Sequence, residues 1–179
     1  RMLAELRDDL AGRAAFTAHH GRWRDQLSRY LTAMTREWDW HNARGRDGGA
    51  APAFDEYLLN ADNFGSSFVN VSHWIFTSEP AALNRLDGLW TAGQEVQKVL
   101  RLLNDLASRD REQEWDDLNA LTLGVTPEEV RQRIADLVAR CRELIRPLRD
   151  ECPREARYLE RQIGYSTGFY GSTDYWGEL

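Results

Sequence analysis

Apolar positions along this chain recur at steps of three and four, the period of helices that pack by one face. The pattern is already running at the start: Met2, Leu3, Leu6 and Leu10 hold helical spacing, as if the sequence enters a helix in progress. Between residues 22 and 40, Trp23, Leu27, Tyr30, Leu31, Met34 and Trp38 predict an amphipathic helix with a heavily aromatic inner face. The stretch "HNARGRDGGAAP", His41 to Pro52, carries Gly45, Gly48 and Gly49. It predicts the one long loop, with Pro52 placed to open the next helix.

"AFDEYLLNADNFGSSFVNVSHWIFTS" is apolar nearly all round from Phe64 to Phe76 and is interrupted by Gly65, Ser66 and Ser67, which predicts a buried helix with a break. Pro80 restarts a helix that passes Gly88 and Gly93 and runs into "RLLNDLASRDREQEWDDLNALTL", residues 101–123. Thr126, Pro127, Glu128 and Glu129 form a capping box with proline in the first turn. Val130, Ile134, Leu137, Cys141, Leu144 and Ile145 line the helix that follows, a further helix covers about 154–163, and the tail "GYSTGFYGSTDYWGEL" reads as irregular. No β-alternation and no internal repeat is present. The prediction is an all-α fold and a single domain over residues 1–179.

Composition narrows the class. With 179 residues, 42% of them hydrophobic, the chain can enclose a real core. Its net charge of −6, with basic residues interspersed among acids, argues against nucleic acid as a partner. Lys98 is the single lysine beside many arginines, which we read as the mark of a GC-rich bacterial genome. Cys141 and Cys152 match no disulfide framework or metal spacing, so two buried thiols in a reducing cytoplasm are expected. No apolar run approaches a membrane span and the start has no signal-peptide pattern, which again points to a cytoplasmic chain. His19, His20, His41 and His73 are scattered and are expected to be structural or exposed.

One helix face holds candidate chemistry. Asn104, Ser108 and Glu112 stand at strict four-residue steps, so they fall within an arc of roughly 80° that also takes in Arg101. This polar stripe borders the apolar sector of Val96, Leu100, Leu103 and Leu106. The three positions span about 12 Å of helix, but side chains lean toward the N-terminus, so two short groups and a long Glu112 reaching back can converge. Hard oxygen donors with one carboxylate suit Mg²⁺, and Arg101, one turn earlier, is placed to hold a phosphate oxygen beside it. The same spacing is also that of an ordinary solvated helix face.

Here the sequence resembles the class I terpene synthases. "RLLNDLASRDRE" matches the family's second metal motif, Asn-Asp-x-x-Ser-x-x-x-Glu, and the "LNALTL" that follows is similar to kaurene-synthase-like, plant-type diterpene synthases. "FDEYLLNA" resembles the opening of the helix that wraps their substrate pocket, "REWDW" the helix end before it, and "FYGSTDYW" the closing C-terminal segment. The resemblance implies an isoprenoid-synthase helical fold around an apolar cavity, here apparently without its N-terminal helices. The aspartate-rich motif of the family is absent, and would lie upstream of residue 1. The arginines that many bacterial relatives carry on the wrapping helix and near the end are absent too, which favours the plant-like diterpene branch.

The resemblance further implies Mg²⁺ as cofactor, bound by Asn104, Ser108 and Glu112, and a prenyl diphosphate substrate, with Arg101 and Asp105 at the diphosphate. Phe64, Phe68, Trp90, Tyr170 and Tyr175 are its aromatic pocket candidates, and Gly65 and Ser66 mark the helix break beside the cavity. The expected function is ionisation of a C20 diphosphate, geranylgeranyl or copalyl-type, to a carbocation that is cyclised and then deprotonated or hydrated. A homodimer is compatible with this reading. The alternative from another class is a non-catalytic helical fragment or partner subunit that retains the fold. A chain-elongating prenyltransferase fits less well, because that family carries a second aspartate-rich motif where this chain has "NDLAS".

Overall fold

The computed structural model describes residues 2–47, 51–114 and 117–170, with 44–47, 110–114 and 169–170 described by backbone alone. Nine α-helices are described: α1 (Met2–Ala11), α2 (Ala14–Asp47), α3 (Phe54–Leu59), α4 (Ser66–Thr77), α5 (Pro80–Leu83), α6 (Leu86–Glu114), α7 (Pro127–Ile145), α8 (Leu148–Glu151) and α9 (Pro153–Tyr170). Two 3-10 turns, Ala61–Phe64 and Ala120–Leu123, join α3 to α4 and precede α7. No strand occurs among the described residues, and no helix among them is long and apolar enough to cross a membrane.

α6 is the spine. It packs against α7, α9, α4 and both 3-10 turns, while α2 lies across α4 and the first turn. Leu89, Ala92, Val99 and Leu102 on α6 are fully buried, which is why its apolar positions extend over more than one sector. Each buried leucine contributes about 1.5–3 kcal/mol of apolar transfer, more than the helix propensity of any one residue can oppose. The lower half of α2 enters the core through an aromatic ladder: Phe16 against Trp23, Trp23 against Phe68, and Phe68 stacked on Tyr30, with centroids 5.7–6.2 Å apart. The Trp23 indole N–H donates to Ser72 Oγ at 2.9 Å, so the ladder is polar-satisfied where it meets α4.

Local chemistry sets several boundaries. Thr126 Oγ1 accepts from the Glu129 amide while the Glu129 carboxylate accepts from the Thr126 amide at 2.7 Å, the capping box expected at the start of α7. Gly65 sits at φ 79° between the first 3-10 turn and α4, which makes the expected break.

Five sequence expectations differ from the structure, the first being the buried stretch from Phe64 to Phe76, where α4 buries one face through Val71, Trp74 and Ile75 while Phe64, Val69 and Phe76 are exposed. α2 continues through His41–Asp47, because one glycine in a helix costs only about 1 kcal/mol, so the loop is shorter than expected. Leu31, Met34 and Trp38 are exposed, not on an inner face, since the upper half of α2 rises out of the core. The Pro80 helix is a single turn, and α6 ends by Glu114, so residues 118–123 form a separate buried turn. α9 extends through Gly164 to Tyr170 where an irregular tail was expected.

Candidate active site

A cleft of about 430 Å³ opens where the upper half of α2 faces α6. Successive turns of α2 supply Met34, Glu37, Trp38 and His41, the first 3-10 turn supplies Asn63 and Phe64, and α6 supplies Arg101, Asn104 and Asp105. Asp117 and Leu118 close it from the segment before the second 3-10 turn. Three carboxylates stand against one guanidinium, so the field in the cleft favours cations. Met34, Trp38, Phe64 and Leu118 give the rest of the wall an apolar and aromatic character.

Arg101 is 6% exposed, and its Nη2 donates to Glu37 Oε1 at 2.8 Å. The other Glu37 oxygen accepts from Asn63 Nδ2. The Arg101 guanidinium lies 4.2 Å from the centre of the Tyr57 ring. Burial works against its charge, but Tyr57, Asp105 and Glu37 around it hold its proton more firmly than in free arginine.

Tyr57, with no exposed surface, places its hydroxyl 2.9 and 3.0 Å from the two Asp105 oxygens. Burial, then the Asp105 charge, pushes the Tyr57 phenol well above its ordinary value, so it stays a neutral donor. Asp105 Oδ2 also accepts from the Ala120 amide at 3.2 Å, and its carbonyl accepts from Asn119 Nδ2 at 2.8 Å. Asp105 therefore ties the second 3-10 turn and α3 to α6. Asp105 is thus an anchored carboxylate on the cleft wall, beside Arg101 on the same helix.

Asn104 is half-buried, lines the cleft, and its amide makes no hydrogen bond among the described residues. Ser108 is 1% exposed and donates to the Asn104 carbonyl at 2.7 Å; it lies one turn beyond the cleft lining. The Glu112 side chain lies outside the described residues. No three His, Cys, Asp or Glu side chains converge as a metal site among the described residues. The expected donor set is of another kind, an amide, a hydroxyl and one carboxylate. The Asn104 amide on the wall of an acidic cleft and the buried Ser108 hydroxyl one turn on are oxygen donors of the kind a hard divalent cation takes.

The aromatic candidates divide. Phe64 lines the cleft, whereas Phe68 belongs to the core ladder. Trp90 lies about three turns below Arg101 on α6, in a second cleft where Arg22 and Arg29 cover its ring at 4.8 and 5.5 Å. Gly65 forms the break, and Ser66 Oγ and the Ser67 amide both donate to Gln97 Oε1 of α6, so the start of α4 is capped from the spine. The Tyr170 side chain and all of Tyr175 lie outside the described residues. Sequence reasoning missed Glu37, Tyr57, Asn63, His41 and Asp117 as lining or network residues. Glu37 and Tyr57 stand inside "REWDW" and "FDEYLLNA", and no spacing rule links them to Arg101.

Helices surround an acidic, aromatic-walled cleft, with Asn104 on its wall and Ser108 one turn further along the central helix. The chain belongs to the terpene synthase family: the family described as "Terpene synthase family 2, C-terminal metal binding" matches residues 1–144. It is similar to an ent-pimara-9(11),15-diene synthase of Streptomyces sp. (strain KO-3988), 27% identical over 161 residues. The match covers 88% of this chain and 54% of that protein, so the chain spans about half the length of the curated relative it matches.

Proposed function

We propose that this chain forms the diphosphate end and part of the pocket wall of a bacterial, cytoplasmic, Mg²⁺-dependent synthase that ionises a C20 prenyl diphosphate, geranylgeranyl or copalyl-type. The observation that carries the reading is the cleft itself, which gathers Arg101, the unengaged Asn104 amide and the Phe64 ring into one space. The name of the pimaradiene synthase relative supports the C20 substrate.

In this reading Asn104, Ser108 and Glu112 hold the cation. Bound Mg²⁺ supplies Lewis-acid stabilisation of charge gathering on the departing oxygen. Arg101 donates its remaining N–H groups to the diphosphate as the C–O bond breaks and the electron pair leaves with oxygen. The carbon left behind is an allylic cation. Phe64 and Trp38 offer ring faces that stabilise positive charge, and Met34 and Leu118 add apolar surface beside them.

The test is incubation of the full-length protein with Mg²⁺ and C10, C15 and C20 diphosphates, followed by hydrocarbon extraction. Product is expected from the C20 substrate, and Asn104→Ala should lower turnover by about a hundredfold or more, the scale of losing one stabilising contact in a transition state. Wild-type turnover and unchanged Mg²⁺ dependence in Asn104→Ala would overturn the reading.

A further inference from the structure

We infer that Glu37 is a positioning residue for Arg101, a role that rests on the function proposed above. Three contacts fix the guanidinium before any ligand arrives. Glu37 Oε1 accepts from Nη2 at 2.8 Å, the Tyr57 ring lies 4.2 Å from the guanidinium carbon, and Asp105 adds its charge from the same helix. Glu37 is itself fixed, because its second oxygen accepts from Asn63 Nδ2. The Arg101 side chain is 7% exposed and that of Glu37 28%, so the guanidinium is buried in the cleft wall while the carboxylate is partly open to solvent.

A guanidinium has five N–H groups, and Glu37 engages Nη2 alone, so donors remain for a second anion. An unheld arginine loses about 2 kcal/mol of rotamer freedom when it binds, whereas one already held by Glu37 has lost that freedom on folding. The same carboxylate puts a negative charge beside the incoming diphosphate. Orientation therefore comes from the oxygen that accepts the hydrogen bond, and the charge on Glu37 works against it. Glutamine at this position separates the two effects, since it keeps one acceptor toward Arg101 and loses the charge, while Asn63 Oδ1, without a hydrogen-bond partner among the described residues, can accept from its amide nitrogen once the Asn63 amide turns.

The experiment compares Glu37→Ala, Glu37→Gln, Arg101→Gln and the double variant Glu37→Ala/Arg101→Gln in the full-length protein. Steady-state kinetics on the prenyl diphosphate are paired with calorimetric binding of inorganic diphosphate in Mg²⁺. Glu37→Ala should lower kcat/KM about tenfold and weaken inorganic diphosphate by a similar factor, while Glu37→Gln stays within about threefold of wild type. On the Arg101→Gln background, Glu37→Ala should add less than about twofold, because the group it positions is gone. A merely structural glutamate would give a loss that persists undiminished on that background and tracks the melting temperature. That result, or full kcat/KM in Glu37→Ala, overturns the inference while Arg101→Gln still reports a working diphosphate site. Wild-type behaviour in Arg101→Gln would instead overturn the diphosphate role of Arg101 and this inference with it.

Discussion

Tyr57 has no exposed surface, and its hydroxyl meets both oxygens of the buried Asp105. Tyr57→Phe keeps the ring under Arg101 but leaves that carboxylate short of a donor in a place water does not reach. The expected cost is about 1–3 kcal/mol in a urea melt, the usual penalty for an orphaned buried partner, with no change in the far-ultraviolet spectrum. A loss below a few tenths of a kcal/mol would show that the remaining partners of Asp105, the Ala120 amide among them, satisfy it. At this scale the sequence was legible where one residue decides the outcome. Cys141 and Cys152 are both buried free thiols, as their lack of spacing partners implied, and burial pushes Cys141 up to about 12. It was not legible where two residues decide it. Glu37 and Arg101 are separated by 64 positions, and either one alone reads as a surface charge.

Helix ends show the same division among elements. Gly65 and Gly124 both hold left-handed backbone, at φ 79° and 84°. A Cβ at Gly65 would lie 3.2 Å from the Tyr30 ring, and at Gly124 it would meet open space. Gly124→Ala should therefore cost about 1 kcal/mol of backbone strain alone, and Gly65→Ala about 2 kcal/mol or more, because the Tyr30 ring stacked on Phe68 must also shift. Equal losses in parallel melts would show that Tyr30 gives way freely and that Gly65 is there for its dihedral angle only. The break at Gly65 and the cap at Thr126 were readable because each is written in adjacent residues. The end of α6 was not, since residues 118–123 leave the helical path through contacts with Asp105, a side chain thirteen or more positions earlier in the chain. The glycines at 45, 164 and 168 misled in the opposite direction, marking breaks in helices that continue through them.

Across the whole molecule, apolar core positions run along α6 from Leu86 to Leu103, while the cleft residues Arg101, Asn104 and Asp105 begin past its midpoint, so a core position near the helix start can be changed far from the cleft. Leu89 is fully buried near its start, and Arg101 lies twelve residues on, about 18 Å along the axis. Leu89→Ala should cost 2–5 kcal/mol in urea denaturation, about the range for emptying a packed leucine site, whereas Val69→Ala, at 60% exposure, should stay within about 0.5 kcal/mol. Below its melting temperature, Leu89→Ala should still bind inorganic diphosphate in Mg²⁺ within about threefold of wild type, because cavity relaxation is local and the Glu37, Tyr57 and Asp105 contacts fix Arg101 independently. If Leu89→Ala weakened the ligand as much as Arg101→Gln does, packing at the base of α6 would itself be setting the cleft, and the contacts around Arg101 would be too soft to position it.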